Sequence, residues 1–378
     1  MRKHIFEGKF GLERETLRID KKGCLAQTPH PFDDENLSRD FCENQLEIIT
    51  PVCNSIDEVM TSLENLDKKA RAVLERNDET LWLYSNPPHI DSESEIPIAR
   101  YDGIFSAKHD YRIKLARRYG KRMMLYSGIH FNFSFSDKYL ESFDADKNTL
   151  YFRLLKQVSR YSWLLVLLTA ASPIYNISFD NDNIDGLVFS GFSSMRNSRR
   201  GYWNQFVPQL DYSDLSAYIQ SIQSYIDKGV LFSAGELYLP VRLKPKGENS
   251  LEALLNGVDH IELRMFDLNP LEELGISEKD LEFAYLFLIY LLNQEDFDFT
   301  PELQTKAIEN HQSAALYDVS EVMIGNVSMK KAANDFLDKM EAFFSDISEI
   351  HNVITYQRNK LNGERICEKI KAWSEVYV

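Results

Sequence analysis

Period-two alternation of polar and apolar residues constrains this chain more than any other feature. Gly11-Leu12-Glu13-Arg14-Glu15-Thr16-Leu17-Arg18-Ile19 reads as a strand, and successive strand side chains point to opposite faces. Glu13 and Glu15 therefore share a face, with Leu17 beside them. Carboxylates held side by side repel, so a fold keeps them where a cation sits between them or where the face is wet. The pattern recurs. Glu43 to Thr50 sets Glu43, Gln45 and Glu47 opposite Leu46 and Ile48. Ser127 to Ser134 sets His130, Asn132 and Ser134 opposite Ile129, Phe131 and Phe133. Gly235 to Arg242 sets Glu236, Tyr238 and Arg242 opposite Leu237, Leu239 and Val241, and His260 to Phe266 repeats the scheme. One such strand describes any antiparallel sheet with a solvated face. Five whose polar faces carry Glu, His, Asn and Arg have the composition of a site for cations and anions.

Between the strands lie helical signals. Ser55-Ile56-Asp57-Glu58 has the form of a capping box, followed by an apolar stripe at Ile56, Val59, Met60, Leu63, Leu66, Val73 and Leu74. Asn86-Pro87-Pro88 breaks the chain. Residues 106–122 read as a helix crowded with Lys and Arg, and 148–171 as a long buried helix stopped by Ser172-Pro173. Residues 176–209 read as an extended loop rich in Asn, Asp, Gly and Ser, carrying Ser193-Ser194-Met195-Arg196-Asn197. Loops of that length are functional or disordered, and guanidinium binds phosphate or carboxylate bidentately. Asp211 to Lys228 and Leu281 to Leu292 complete the helices before Pro301, after which the chain is helical with polar surfaces. The expectation is one α+β fold, with a main part over 1–300 and a helical C-terminal section over 301–378 packed on it or on another subunit.

A net charge of −15 over 378 residues argues against nucleic acid or an anionic membrane as partner. The apolar run Trp163–Leu168 is far shorter than the roughly 20 residues that cross a bilayer, and Met1 to Glu7 has no apolar leader core. The four cysteines, Cys24, Cys42, Cys53 and Cys367, fit no metal spacing. Reduced thiols and a cytoplasmic location are expected. There is no P-loop, no Gly-x-Gly-x-x-Gly after a strand and no Gly-x-Ser-x-Gly elbow, which disfavours those chemistries. Carboxylate-rich strands suit hard cations such as Mg²⁺, which take oxygen ligands and keep substrate phosphates in their shell. His130 is the single nitrogen ligand to add.

Taken together, Phe10 to Arg18, Asp40-Phe41-Cys42-Glu43-Asn44-Gln45-Leu46-Glu47-Ile48-Ile49-Thr50-Pro51 and Ser127 to Ser134 resemble the glutamate–cysteine ligases of the bacterial type. They resemble in particular the amino-terminal module of bifunctional glutathione-synthesising enzymes. Ser194 to Ser198, Glu236 to Arg242, and Ile261 to Arg264 through Asp267-Leu268-Asn269-Pro270 follow in the family's order, so the likeness covers about residues 8–295. It implies a glutamine synthetase-like fold, a curved and mostly antiparallel sheet forming a funnel with helices outside. It implies ATP-dependent ligation of the glutamate γ-carboxylate to the amine of L-cysteine through γ-glutamyl phosphate, with Mg²⁺ or Mn²⁺. By the same resemblance Glu13, Glu15, Asp40, Glu47, His130 and Glu236 are metal positions. Arg242 and Arg264 neutralise phosphate or substrate carboxylate. Arg196 and Tyr111, with Phe41 beside them, lie near the acceptor amino acid, and Arg112 faces substrate. The last 80 residues align with no family motif, and no second nucleotide-binding module is visible after residue 300, so the expected product is γ-glutamylcysteine rather than glutathione. A ligase for another amine, or a non-catalytic amino-acid or nucleotide sensor, are the alternatives.

Overall fold

The alternating segments pair into one sheet because each has a single apolar face to bury. The computed structural model describes residues 4–101, 103, 106–182 and 184–377. In chain order its strands are β1 (Gly8–Asp20), β2 (Leu37–Ser38), β3 (Gln45–Ile49), β4 (Glu79–Trp82), β5 (Gly128–Phe135), β6 (Ile174–Asn176), β7 (Leu187–Phe189), β8 (Val241–Lys244), β9 (His260–Asp267), β10 (Met323–Ile324) and β11 (Val327–Ser328). The helices are α1 (Ile56–Glu75), α2 (Ser106–Tyr119), α3 (Asp137–Leu140), α4 (Lys147–Thr169), α5 (Leu215–Asp227), α6 (Leu251–Asn256), α7 (Glu278–Leu292), α8 (Pro301–Ala314), α9 (Met329–Phe343), α10 (Ser348–Asn362) and α11 (Ile366–Tyr377).

The main sheet runs β2-β3-β1-β5-β9-β8, and β4 pairs with the end of β1. Every pairing among these strands is antiparallel. The sheet is thus the mostly antiparallel one expected, in an α+β fold. Its apolar face (Leu12, Leu46, Ile48, Ile129, Phe131, Ile261, Leu263) is buried in the same core as α1, α4 and α7. That core is continuous from Ile5 to Leu361 and takes in α8, α9 and α10 of the C-terminal section. No described helix is long and apolar enough to cross a membrane.

Two arginines break the alternation rule on β1. Arg14 and Arg18 lie on the apolar face with no exposure. They are retained there by ion pairs: Arg14 with Asp67 of α1, and Arg18 with Glu79 of β4 at 2.5 Å. Removing one partner of such a pair leaves a buried charge uncompensated, at a cost of about 3–5 kcal/mol. Arg14 staples the sheet to the helix that covers it, and Arg18 ties β1 to its neighbour β4.

Local expectations differ from the fold in three places. The helix start at Ser55 accepts from Glu58 N, but Glu58 reaches back to Asn54 N rather than to Ser55. Residues 235–240 are not strand: Ala234–Glu236 is a 3-10 turn, and the strand begins at Val241. Residues 176–209 are no loose loop either. β7 lies within them and pairs with β6 at their start, and Ser193, Ser194, Met195, Arg196, Asn197 and Ser198 are all buried.

All four cysteines are free, with Cys42, Cys53 and Cys367 buried. Reductant is therefore expected to leave the Tm unchanged. Differential scanning calorimetry with and without reductant checks this, and a drop of more than about 5 °C would reveal a supporting bridge.

Candidate active site

Register decides which polar side chains meet. Glu15 lies opposite Glu47 across β1–β3, Glu13 opposite His130 across β1–β5, and Arg242 opposite Glu262 across β8–β9. His130 Nδ1 is 3.0 Å from Glu13 Oε2 and 3.8 Å from Glu262 Oε1, while Nε2 is 3.6 Å from Glu15 Oε1. Asn132 Nδ2 donates to Glu13 Oε1 at 3.1 Å. One ligand atom each from Glu13, His130 and Glu262 falls within 4.8 Å of the other two. A single cation spans that distance, since ligand bonds of about 2.0–2.6 Å radiate from it.

The charges around this group are unevenly matched. Burial alone would raise the Glu262 carboxyl, but Arg264 and Lys244, each at 3.0 Å, together with His130 and Arg242, hold its pKa well below the usual range. Burial also acts to raise Glu13, yet its hydrogen bond with His130 brings the pKa down. Glu47 is the opposite case. Burial first, then Asp40, Glu13 and Glu15, push its pKa well above a normal carboxyl. Burial opposes the charge of Arg264, but Glu262 and Glu15 keep it firmly protonated. The protein's own cations thus neutralise Glu262 and leave Glu47 short of positive charge. A hard divalent cation in the Glu13–His130–Glu262 group would lie beside Glu15 and Glu47 and fit that deficit.

Two hollows open on the same face at opposite ends of the carboxylates. One is lined by Glu15, Asp40, Gln45, Arg196, Tyr202 and Arg264. The other lies over Gly11, Glu13, Ile49, Asn132, Ser134 and His260. Glu13 lines the second hollow, and Glu15, two residues on along β1, lines the first. Arg196 donates from Nη2 to the Arg264 carbonyl at 2.7 Å and from Nη1 to that of Phe266 at 3.4 Å. A Cβ at Gly128 would sit 2.5 Å from Arg196 Cζ, so the absence of a side chain there admits the guanidinium. Arg112 donates to the Asp40 backbone carbonyl and reaches Asp40 Oδ1 at 3.3 Å, stacking over Tyr101. It orders Asp40 at the rim. Tyr111 accepts from Ser233 Oγ at 3.1 Å.

Two expected site residues stand elsewhere. Glu236 is fully buried but faces α2, where Arg118 pairs with it at 2.5 Å and Tyr119 and the Phe232 amide donate to it. The 3-10 turn at 234–236 takes it out of strand register, so its carboxylate does not join Glu13 and His130. Phe41 is 1% exposed. It belongs to a small second core with Leu17, Cys42, Leu115 and Leu125, on which Tyr111 and Tyr202 pack, and so it backs the cleft rather than facing it. Arg242 holds the same turn, donating to the Gly235 and Leu237 carbonyls at 2.9 Å. Glu262 and Lys244 were absent from the expected set. Both obey the period-two rule, Glu262 two places before Arg264 and Lys244 two places after Arg242. His311, which lines the Arg196 end of the cleft, gives no sequence signal.

A family model described as glutamate-cysteine ligase matches residues 1–230 and 225–314. The glutathione biosynthesis bifunctional protein GshAB of Listeria innocua is 38% identical over 395 residues, covering 96% of this chain and 51% of that protein. The glutamate–cysteine ligase of Clostridium acetobutylicum is 30% identical over 461 residues, covering 99% of this chain and 94% of that protein. In fold, the chain is similar to the glutamate–cysteine ligase of Francisella tularensis, solved in complex with AMP. The TM-score is 0.88 at 24% identity, over 98% of this chain and 85% of that one. The chain belongs to the glutamate–cysteine ligase family. It spans about half the length of the bifunctional relatives it matches.

Proposed function

We propose that this chain joins the γ-carboxylate of L-glutamate to the amine of L-cysteine at the expense of ATP, giving γ-glutamylcysteine, ADP and phosphate. The observation that carries this reading is the convergence of Glu13, His130 and Glu262 one strand step from a cleft that holds Arg196 and Arg264. A carboxylate is a poor acyl donor until it is phosphorylated, and phosphorylating it brings an anion to a polyanion. Mg²⁺ or Mn²⁺ held by Glu13, His130 and Glu262, with Glu15 and Glu47 adjacent, would neutralise the phosphates as a Lewis acid. Asp40 borders the same carboxylates from the rim.

The remaining residues take roles from their placement. Arg264, beside Glu262 and lining the cleft, faces the γ-carboxylate and the transferred phosphoryl group. Arg242 adds positive potential next to it. Arg196 receives an amino-acid α-carboxylate, with Tyr202 alongside, and Arg112 keeps Asp40 in place. Nucleotide entry from the groove over Gly11, Asn132 and Ser134 is supported by Glu13, which lines that groove while Glu15 lines the cleft at Arg196. Glutamate oxygen then attacks the terminal phosphorus and ADP leaves. The cysteine nitrogen attacks the acyl carbon and phosphate leaves, so one phosphate accompanies each peptide.

Mass spectrometry of the purified protein with glutamate, ATP, Mg²⁺ and each of the twenty amino acids tests this. γ-Glutamylcysteine should dominate, with about one phosphate per peptide. A different γ-glutamyl peptide would reassign the acceptor. No peptide with any amine would favour a sensor instead.

A further inference from the structure

The segment that carries Arg196 is fastened by groups outside the carboxylate cluster. Asp267, at the end of β9, is 2% exposed. Its Oδ2 accepts from Ala171 N at 2.9 Å and Ser172 Oγ at 2.8 Å, just beyond α4. Its Oδ1 accepts from Ser194 Oγ at 2.9 Å and Asn197 Nδ2 at 3.3 Å. Asn197 Nδ2 also donates to the Met265 carbonyl at 2.9 Å. A carboxylate and a carbonyl around that nitrogen fix the amide orientation and turn Asn197 Oδ1 toward His311.

His311 Nε2 lies 3.1 Å from Asn197 Oδ1, and its Nδ1 lies 2.9 Å from Ser162 Oγ of α4. Since Oδ1 can only accept, Nε2 carries the proton and donates. The ring is 1% exposed and meets Trp203 edge-on at 5.2 Å. Burial, and to a lesser degree Arg196, push its pKa down to about 3, so it stays neutral and keeps this donor. His311 belongs to α8, outside the strands that bear the charged face, yet it lines the cleft at Arg196.

We propose that His311 is a positioning residue for the acceptor amino acid: by donating from Nε2 to Asn197 it fixes the adjacent Arg196 guanidinium against β9. The proposal rests on the role given to Arg196 above. It makes α8 a working part of the cleft, not a brace behind it.

Two variants separate donor from bulk. His311→Leu fills most of the volume without a donor, and His311→Gln keeps a donor at similar reach. Loss of a well-oriented buried hydrogen bond predicts that His311→Leu raises the apparent KM for cysteine about tenfold while that for ATP moves less than about threefold. His311→Gln should recover most of that rise. Equal behaviour of the two variants, or a parallel rise for ATP, overturns the proposal. A crystal structure of His311→Leu reads the positioning without turnover. Arg196 must leave the carbonyls of Arg264 and Phe266, and an unmoved guanidinium overturns the proposal even if the wild-type protein proves not to ligate cysteine. Should His311→Leu fail to fold, His311→Phe, which keeps a ring against Trp203 and lacks the donor, carries the same KM comparison and the same structural criterion.

Discussion

Glu13→Gln and Glu15→Gln should each lower turnover at least about a hundredfold, the scale on which stabilising charge in a transition state acts. Each removes one carboxylate from a face where His130 already contacts both. The protein should remain folded, because both side chains hang on the polar face of β1 and leave its apolar packing untouched. Glu47→Gln sharpens the test. Burial and the neighbours Asp40, Glu13 and Glu15 already hold the Glu47 carboxyl well above its usual pKa. A charge disfavoured in the folded state contributes nothing to stability. Glu47→Gln should therefore lose activity with an unchanged or higher Tm in the presence of chelator. Steady-state turnover and thermal melts on the three variants, with Mg²⁺ and with chelator, decide it. Near-normal turnover in Glu13→Gln and Glu15→Gln would exclude the cation site.

Arg196→Lys should raise the apparent KM for cysteine about tenfold or more, and that for ATP far less. A guanidinium has five N–H donors in a planar fork. Here two nitrogens donate to the carbonyls of Arg264 and Phe266, which leaves donors to spare for a carboxylate. An ammonium has three donors, no plane, and cannot hold β9 and a carboxylate in that geometry. A charge-assisted hydrogen bond contributes roughly 1.5–3 kcal/mol, and each 1.4 kcal/mol is tenfold. Gly128→Ala tests the same group without altering its chemistry, since the new Cβ would meet Arg196 Cζ at 2.5 Å. Both variants should show one signature, a selective loss of acceptor affinity. An equal effect on ATP and cysteine in either variant would contradict the assignment.

Much of this site was legible because alternation is a local property of a strand. β1, β3, β5 and β9 are pleated where the pattern placed them, and so Glu13, Glu15, Glu47, His130 and Arg264 share one face. Alternation failed at 235–240, where Gly235 and Pro240 flank apolar residues that alternate by chance. The chain turns there, and Glu236 finds Arg118 instead of the carboxylates. The loop reading of 176–209 failed for another reason. Polar residues such as Ser194 and Asn197 look solvated, but they are buried on a carboxylate that lies about 70 residues further on, Asp267.

The sequence by itself determined the sheet's two faces, the helices that cover one of them, and the residue types on the other. Those follow from periodicity and burial of apolar surface, which need only neighbours in the chain. The tertiary structure alone decided which charges meet. Strand order and register set Glu13 against His130, and His130 near Glu262. Packing of α8 on α4 brought His311 to Asn197. Such contacts join residues more than a hundred positions apart. Their geometry depends on how whole elements close on a common core, a property no local pattern encodes.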